Sequence, residues 1–204
     1  MNSWFDARFF GEVFVTLLVI MDPPGSVPVF LSLTGAHSRK ARNRSADLAV
    51  VTALTVIVSF ALFGQQVLQY LHVTLAALQV SGGLLLLLVA LELLMGWSND
   101  RVRKDDVNVS MVPLGTPLLA GPGAIAATIV FAKAAHNGRE ALALGAGIVA
   151  VHVVIWLTLR FSTVILRVLG RSGVSLVTRI AGLLLSAIAV QLAADGIAKF
   201  VAAN

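Results

Sequence analysis

Two short stretches interrupt an otherwise apolar sequence with residues that a helix accommodates poorly: Met21-Asp-Pro-Pro-Gly-Ser-Val-Pro28 and Ala120-Gly-Pro-Gly-Ala124. Proline removes a backbone donor and clashes with the preceding turn, and glycine weakens the helix further, so each stretch divides its span into two half-helices. A half-helix that starts at Pro23 or Pro122 aims free N–H groups and a partial positive charge at whatever lies in front of it. Irregular backbone at membrane depth persists only where protein or a water-filled cavity satisfies it. The residues around the breaks, Asp22, Pro23, Gly25 and Ser26 in the first and Gly121, Pro122, Gly123 and Ala124 in the second, are therefore the candidate substrate-binding set, with a carboxylate as the natural guest. For either break alone, a proline kink used only for packing is the competing explanation. Asp22 itself has two readings. Asp before Pro is a favoured N-cap, and an ionisable side chain about fourteen residues into an apolar span is also a candidate contact for an ammonium group or a proton.

Four further polar residues fall inside apolar segments and are candidates for a pathway or for coupling. Glu92 and Gln191 are nearly isosteric and sit at comparable places in two spans, and Asp195 lies one helical turn beyond Gln191 on the same face. His152, in mid-span, titrates near neutrality and suits a proton relay, although a histidine bonded to the neighbouring backbone accounts for it equally. Gly82-Gly83 and Gly182-x-x-x-Ser186 offer small surfaces for close helix approach. Trp156 reads as ordinary apolar bulk, and His37 to Arg44 as an arginine-rich loop that sets topology. An enzyme is not expected: there is no H-E-x-x-H, no G-x-S-x-G, no phosphate loop and no paired carboxylates beside a base. With no cysteine, thiolate chemistry and cysteine-ligated metals drop out, and no cofactor is expected.

What must position these residues follows from composition. Of 204 residues, 58% are hydrophobic and 12% charged, and the mean hydropathy is +0.91; a soluble domain is about 45–50% apolar and about 25% charged. About 20 apolar residues cross a hydrocarbon core, and the pattern gives six spans, at 8–34, 47–70, 74–96, 109–134, 140–161 and 176–200. Trp4, Asp6 and Arg8 precede the first instead of a basic leader with a cleavage site, which argues against a removed signal peptide. The net charge of +5 belongs to loops beside an anionic membrane face, since no basic stripe with aromatics suggests nucleic acid. Sorted by side, Arg8, Lys133, Arg139 and Lys199 share one face, and the other eleven Lys and Arg residues share the opposite one. The positive-inside bias then places the linker in the cytoplasm and both termini outside it, in a multi-pass inner-membrane protein.

The second half of the chain aligns with the first at a constant offset of 99 positions. Pro23 falls on Pro122, Gly83-Leu-Leu-Leu86 on Gly182-Leu-Leu-Leu185, Ala90 on Ala189, and Glu92 on Gln191. Three spans per half is an odd number, so the repeat must be inverted, as in many secondary transporters. The expected fold is an all-α polytopic membrane protein, six transmembrane helices in a 3+3 inverted repeat with helices 1 and 4 broken. Its units are a first repeat at 1–97, a cytoplasmic linker at 98–107 and a second repeat at 108–204.

The residues carry a resemblance as well. Asp22-Pro-Pro-Gly25 with Pro28, Phe30 and Leu31, the run Pro117-Leu-Leu-Ala-Gly-Pro-Gly-Ala-Ile125, Arg179-Ile-x-Gly-Leu-Leu and the Ala-x-Gln-Leu ending at Leu192 resemble the MarC family of six-span membrane proteins over essentially the whole chain. The sequence departs from that pattern at Ser26, where the family often has Asn, and at Ala126, where Ser or Thr is frequent; the loss of those polar groups bears on the substrate. The family is similar to LysE-type exporters. Some members are described as transporters of small neutral amino acids, and others are named for antibiotic resistance without a settled activity. The resemblance thus implies a secondary transporter for glycine, alanine or similar amino acids, coupled to protons or alternatively to sodium. The half-helix N-termini would take the carboxylate, and Asp22 the ammonium or the cap. Two alternatives stand beside it, a non-transporting regulatory or envelope component and an uncoupled channel. The expected partners are the amino acid, the coupling ion and the bilayer, with small-residue faces suited to a homodimer.

Overall fold

The computed structural model describes residues 5–34, 38–95 and 119–202. The described residues are all helical apart from short connections. The expected linker at 98–107 and the first part of the expected fourth span lie outside them, as do Trp4, His37, Pro117 and the two C-terminal residues.

The first crossing is two helices. Asp6 caps α1 (Ala7–Met21) by accepting from the Phe9 N–H at 2.9 Å. At Asp22 the backbone turns left-handed, with φ 38° and ψ 69°, and α2 (Pro23–Thr34) starts at once. The two remain in register with each other: the Asp22 N–H closes α1 on the Leu18 carbonyl at 3.2 Å, and the Asp22 carbonyl opens α2 by accepting from Ser26 N–H at 3.1 Å. Pro28 is carried inside α2 without ending it. Next, α3 (Arg39–Tyr70) begins on the Ser38 cap, whose hydroxyl accepts from Ala41 N–H. The segment expected as an arginine-rich loop is thus helical from Arg39 onward. Lys, Arg and Ala are strong helix formers and Ser38 caps them, so a helix of 32 residues projects beyond a hydrocarbon core of about 30 Å.

A tight turn leads to α4 (Leu75–Met95). After the undescribed stretch, α5 (Pro122–Ala134) has 13 residues, too few to cross the core alone at about 1.5 Å per residue. Asn137 caps α6 (Gly138–Arg160), accepting from the Arg139 and Glu140 N–H groups at 3.1 and 3.0 Å, while the Glu140 carboxylate accepts from His136 N–H in return. The last helix, α7 (Ser162–Ala202), turns sharply at Gly170, where φ is 65° and only glycine fits without strain. Its apolar part runs from Ser172. Among the described residues five segments are long and apolar enough to cross a membrane: 7–31, α3, α4, α6 and 172–202; α5 is a shorter apolar helix. Large side chains such as Leu62, Phe63, Leu142 and Leu183 point outward along these helices, as lipid contact requires.

Glycines set the closest approaches. Along α4 and α7, the most extensive pairing among the described helices, a methyl group on Gly83 would stand 2.7 Å from the Ala189 carbonyl oxygen, and one on Gly182 would stand 3.2 Å from that of Ala90. A methyl on Gly196 would come within 2.9 Å of the Ala76 carbonyl. Low numbers in one helix meet high numbers in the other, so the pair is antiparallel. At its crossing, Leu86, Ala90, Leu185 and Ala189 form a small core of their own. A larger core, with Val13, Leu17, Phe30, Ala53, Ile57, Ala124, Ile148 and Ile155, joins α1, α2, α3, α5 and α6. Ile20 packs against both cores.

Candidate functional site

Proline at positions 23 and 24 leaves α2 with no N–H on its first two residues, and the Ser26 N–H is taken by the Asp22 carbonyl. Gly25 therefore carries the one N–H of that first turn left for a side chain to meet. The Asp22 carboxylate lies directly over Gly25, occupying the space where a side chain at that position would have to go. Asp22 is 6% exposed; both its carboxylate oxygens are buried, and the carboxylate lies against the Gly25 backbone, whose N–H is the donor within its reach. The Ser26 hydroxyl does not help, because it donates to the Pro23 carbonyl at 2.7 Å. From the other side comes Thr178 of α7, whose Oγ1 lies 3.1 Å from the same Cβ position of Gly25 and is buried without a partner.

The second break has the opposite character. Gly121 is extended at φ −64° and ψ 164°, Pro122 opens α5, and no side chain caps the helix. Its first turn keeps the N–H groups of Gly123 and Ala124 and the partial positive charge of a helix start. Gly123 is closed over by the Leu86 side chain of α4, whereas a Cβ on Gly121 would meet nothing within 4 Å among the described residues. Leu86 belongs to the small core against which Ile20 packs, so both breaks border the α4–α7 crossing.

The remaining candidates divide. His152 is buried in α6; its Nδ1 bonds the Ile148 carbonyl of its own preceding turn at 2.7 Å, and its Nε2 faces the Ala53 backbone of α3 without completing a bond. Gln191 donates to Asp195 at 2.8 Å on an exposed face of α7, as the one-turn spacing predicts, and this pair bonds to itself. Glu92 is half-buried near the end of α4. Three residues missed from the sequence carry polar chemistry: Thr178, the buried and unpartnered Thr128 of α5, and Asp47 of α3. Asp47 corrects the reading of Trp156 as mere bulk. The indole Nε1–H donates to the Asp47 carboxylate at 2.7 Å, and Arg160 lies 3.6 Å from that carboxylate and 5.5 Å from the indole ring centre. A signal for Thr178 existed, because it stands 99 positions after Gln79, another buried polar residue in a Leu-rich span. Among the described residues no group of His, Asp and Glu could hold a metal ion.

The comparisons with known proteins bear on the whole chain. Residues 7–201 match the model of the MarC family, an integral membrane protein family. The chain belongs to the MarC family. It is similar to a UPF0056 membrane protein of Methanocaldococcus jannaschii, 36% identical over 200 residues that cover 94% of this chain and 97% of that one. A UPF0056 membrane protein of Aquifex aeolicus is 36% identical over 198 residues, which cover 92% of each chain. The UPF0056 membrane protein YhcE of Escherichia coli is 29% identical, covering 96% of this chain and 95% of its own. These names place the relatives in a membrane and say nothing of what they act on. No solved structure matches the chain.

Proposed function

We propose that this MarC-family protein is a secondary transporter of small neutral amino acids of glycine or alanine size, coupled to protons, with sodium as the alternative ion. The observation that carries the reading is the opposed chemistry of the two breaks. One presents a buried carboxylate at Asp22 with no Lys or Arg paired to it among the described residues, and the other an uncapped helix start at Gly121-Pro122-Gly123-Ala124. A zwitterion has complementary ends: its ammonium suits the first, and its carboxylate the second. This divides the roles more sharply than two equivalent carboxylate sites, because Pro23 and Pro24 leave the first helix start little to offer an anion.

The architecture we propose is six spans in a 3+3 inverted repeat, residues 1–97 and 108–204 about a linker, with alternating access between the halves. The contacts at the α4–α7 crossing support it. Adding 99 to Gly83 and subtracting 99 from Ala189 gives Gly182 and Ala90, and both pairs are in contact; the small core consists of Leu86 and Ala90 with their partners 99 residues on. Arginine placement supports an inner-membrane orientation with external termini. The packing of Leu86 over Gly123 favours a second reading, a non-transporting membrane component, unless that side chain moves during the cycle. Uptake of labelled glycine and alanine into proteoliposomes, with and without an imposed proton gradient, decides between them. Gradient-driven accumulation is expected; no uptake of any small neutral amino acid under either proton or sodium gradients would sink the transporter reading. Orientation is tested in the cysteine-free background by Ser38→Cys, expected to be shielded from impermeant thiol reagents in intact cells, and His136→Cys, expected to react.

A further inference from the structure

Hydroxyls inside apolar helices usually donate to the carbonyl four residues back, because no other acceptor is in reach. Thr34 does so to Phe30 at 2.7 Å, Thr55 to Val51 at 2.8 Å and Thr158 to Val154 at 2.8 Å. Thr178 does not, although it lies in a regular part of α7; its Oγ1 is buried and completes no bond. It stands instead 3.1 Å from the Gly25 Cβ position, the same position that the Asp22 carboxylate covers. A carboxylate oxygen and a hydroxyl oxygen, both buried, thus converge on one glycine from the first crossing and the last. No described Lys or Arg pairs with Asp22, and the Ser26 hydroxyl beside it is already committed to the Pro23 carbonyl. Leaving such groups unsatisfied in an apolar setting is costly, on the order of 1–3 kcal/mol for each neutral one and more for a charge.

The Gly25 N–H is the one nitrogen donor facing these oxygens among the described residues, and a buried carboxylate with a hydroxyl beside it and no cationic side chain selects a cation. The site is small, since any side chain on Gly25 would displace the carboxylate, and it has one formal negative charge and no cluster of carboxylates, so the guest is a compact monovalent cation and not Mg²⁺ or Ca²⁺. We infer that Asp22 and Thr178, brought together over Gly25, form a binding site for a compact monovalent cation that ties α7 to the first helix break. Two sources share this chemistry, the ammonium group of an amino acid and a free sodium ion. The assignment of the ammonium to this site rests on the transport reading above; the existence of the site does not. Thr178 contributes the one ligand that comes from outside the first crossing, so occupancy joins α7 to the α1–α2 junction.

The test uses the full-length protein in lipid nanodiscs and follows its unfolding temperature at constant ionic strength in choline, sodium or methylammonium chloride. Sodium, methylammonium or both are expected to raise the temperature above the choline value in the native protein. Thr178→Ser should keep the rise, whereas the isosteric Thr178→Val and Asp22→Asn should lose it while starting from a similar temperature in choline. In titrations, Thr178→Val is expected to weaken apparent cation affinity about tenfold, as loss of one bond to a charged guest would. A rise with methylammonium alone marks the ammonium of the substrate, and a rise with sodium alone marks the coupling ion. The inference is overturned if neither cation stabilises the native protein beyond choline, or if Thr178→Val responds as the native protein does. Cation stabilisation together with absent amino-acid uptake would instead leave the site standing and reject the transporter reading.

Discussion

The two helix breaks use the same backbone device, proline at the first helical position beside glycine, and end with opposite electrostatics. At the first, Asp22 adopts a left-handed conformation and folds its carboxylate back over Gly25. At the second, Gly121 stays extended and nothing caps α5. A left-handed aspartate costs backbone energy, and it places one negative charge where the helix start would otherwise be positive. The difference between Asp22 and Gly121, which stand 99 positions apart, therefore decides which end of a zwitterion each break can hold. Repetition of a motif does not imply repetition of its chemistry.

That contrast can be broken experimentally. The largest effect is expected from Gly25→Ala, since the added carbon meets the Asp22 carboxylate itself. Transport should fall about a hundredfold or more, equivalent to roughly 2.7 kcal/mol, whereas Gly121→Ala, whose Cβ meets nothing nearby, should lose no more than a few-fold in the same uptake assay. Equal losses in the two variants would erase the distinction between the breaks. Next is Gly121→Asp, which makes the second break resemble the first. A carboxylate at that helix start should stabilise the fold by about 0.5–1 kcal/mol in chemical denaturation, yet reduce amino-acid transport about tenfold by excluding the substrate carboxylate; enhanced transport would reverse the assignment of ends. Asp22→Asn separates cap from charge. Asn caps nearly as well as Asp, so stability should change by about 0.5 kcal/mol or less while uptake falls, and unchanged uptake would reduce Asp22 to a structural role. The smallest effect serves as a control away from both breaks. Trp156→Phe removes the bond to Asp47 and should cost about 1 kcal/mol of stability, with substrate affinity unaltered; the half-exposed Arg160 adds little to that tie.

How much of this was legible in the sequence depended on how local the cause was. Pro23, Pro122 and their neighbouring glycines declare themselves, because a proline breaks hydrogen bonding wherever it stands in a helix. The Asn137 and Glu140 cap and the Gln191–Asp195 pair are equally local, set by spacing along one helix. Asp47 was invisible for the converse reason, and Thr178 showed only through its place 99 positions after Gln79. Their meaning comes from residues about 110 and 150 positions away, and a threonine that bonds its own helix reads the same as one that does not. Trp156 was misread on the same account. The run from Arg39 to Arg44 was assigned to a loop from its charge, although charge governs depth in the membrane and says little against helix, so the helix simply continues into the headgroup region. The repeated runs Gly83-Leu-Leu-Leu86 and Gly182-Leu-Leu-Leu185 mark the crossing of α4 and α7.

The glycine-lined contact of α4 and α7 has a mechanical consequence. Where Gly83, Gly182 and Gly196 let one backbone lie on the other, there are few side-chain ridges to climb out of grooves. The outer faces of both helices meet lipid, which is as apolar as the interior, so turning one helix against the other exchanges like for like and leaves the buried apolar area nearly unchanged. Such a joint resists being pulled apart, through its many short contacts, and offers little resistance to pivoting. Rotation is the motion this packing would oppose least, and Leu86, seated near its midpoint and reaching over Gly123, would carry such a rotation to the second break.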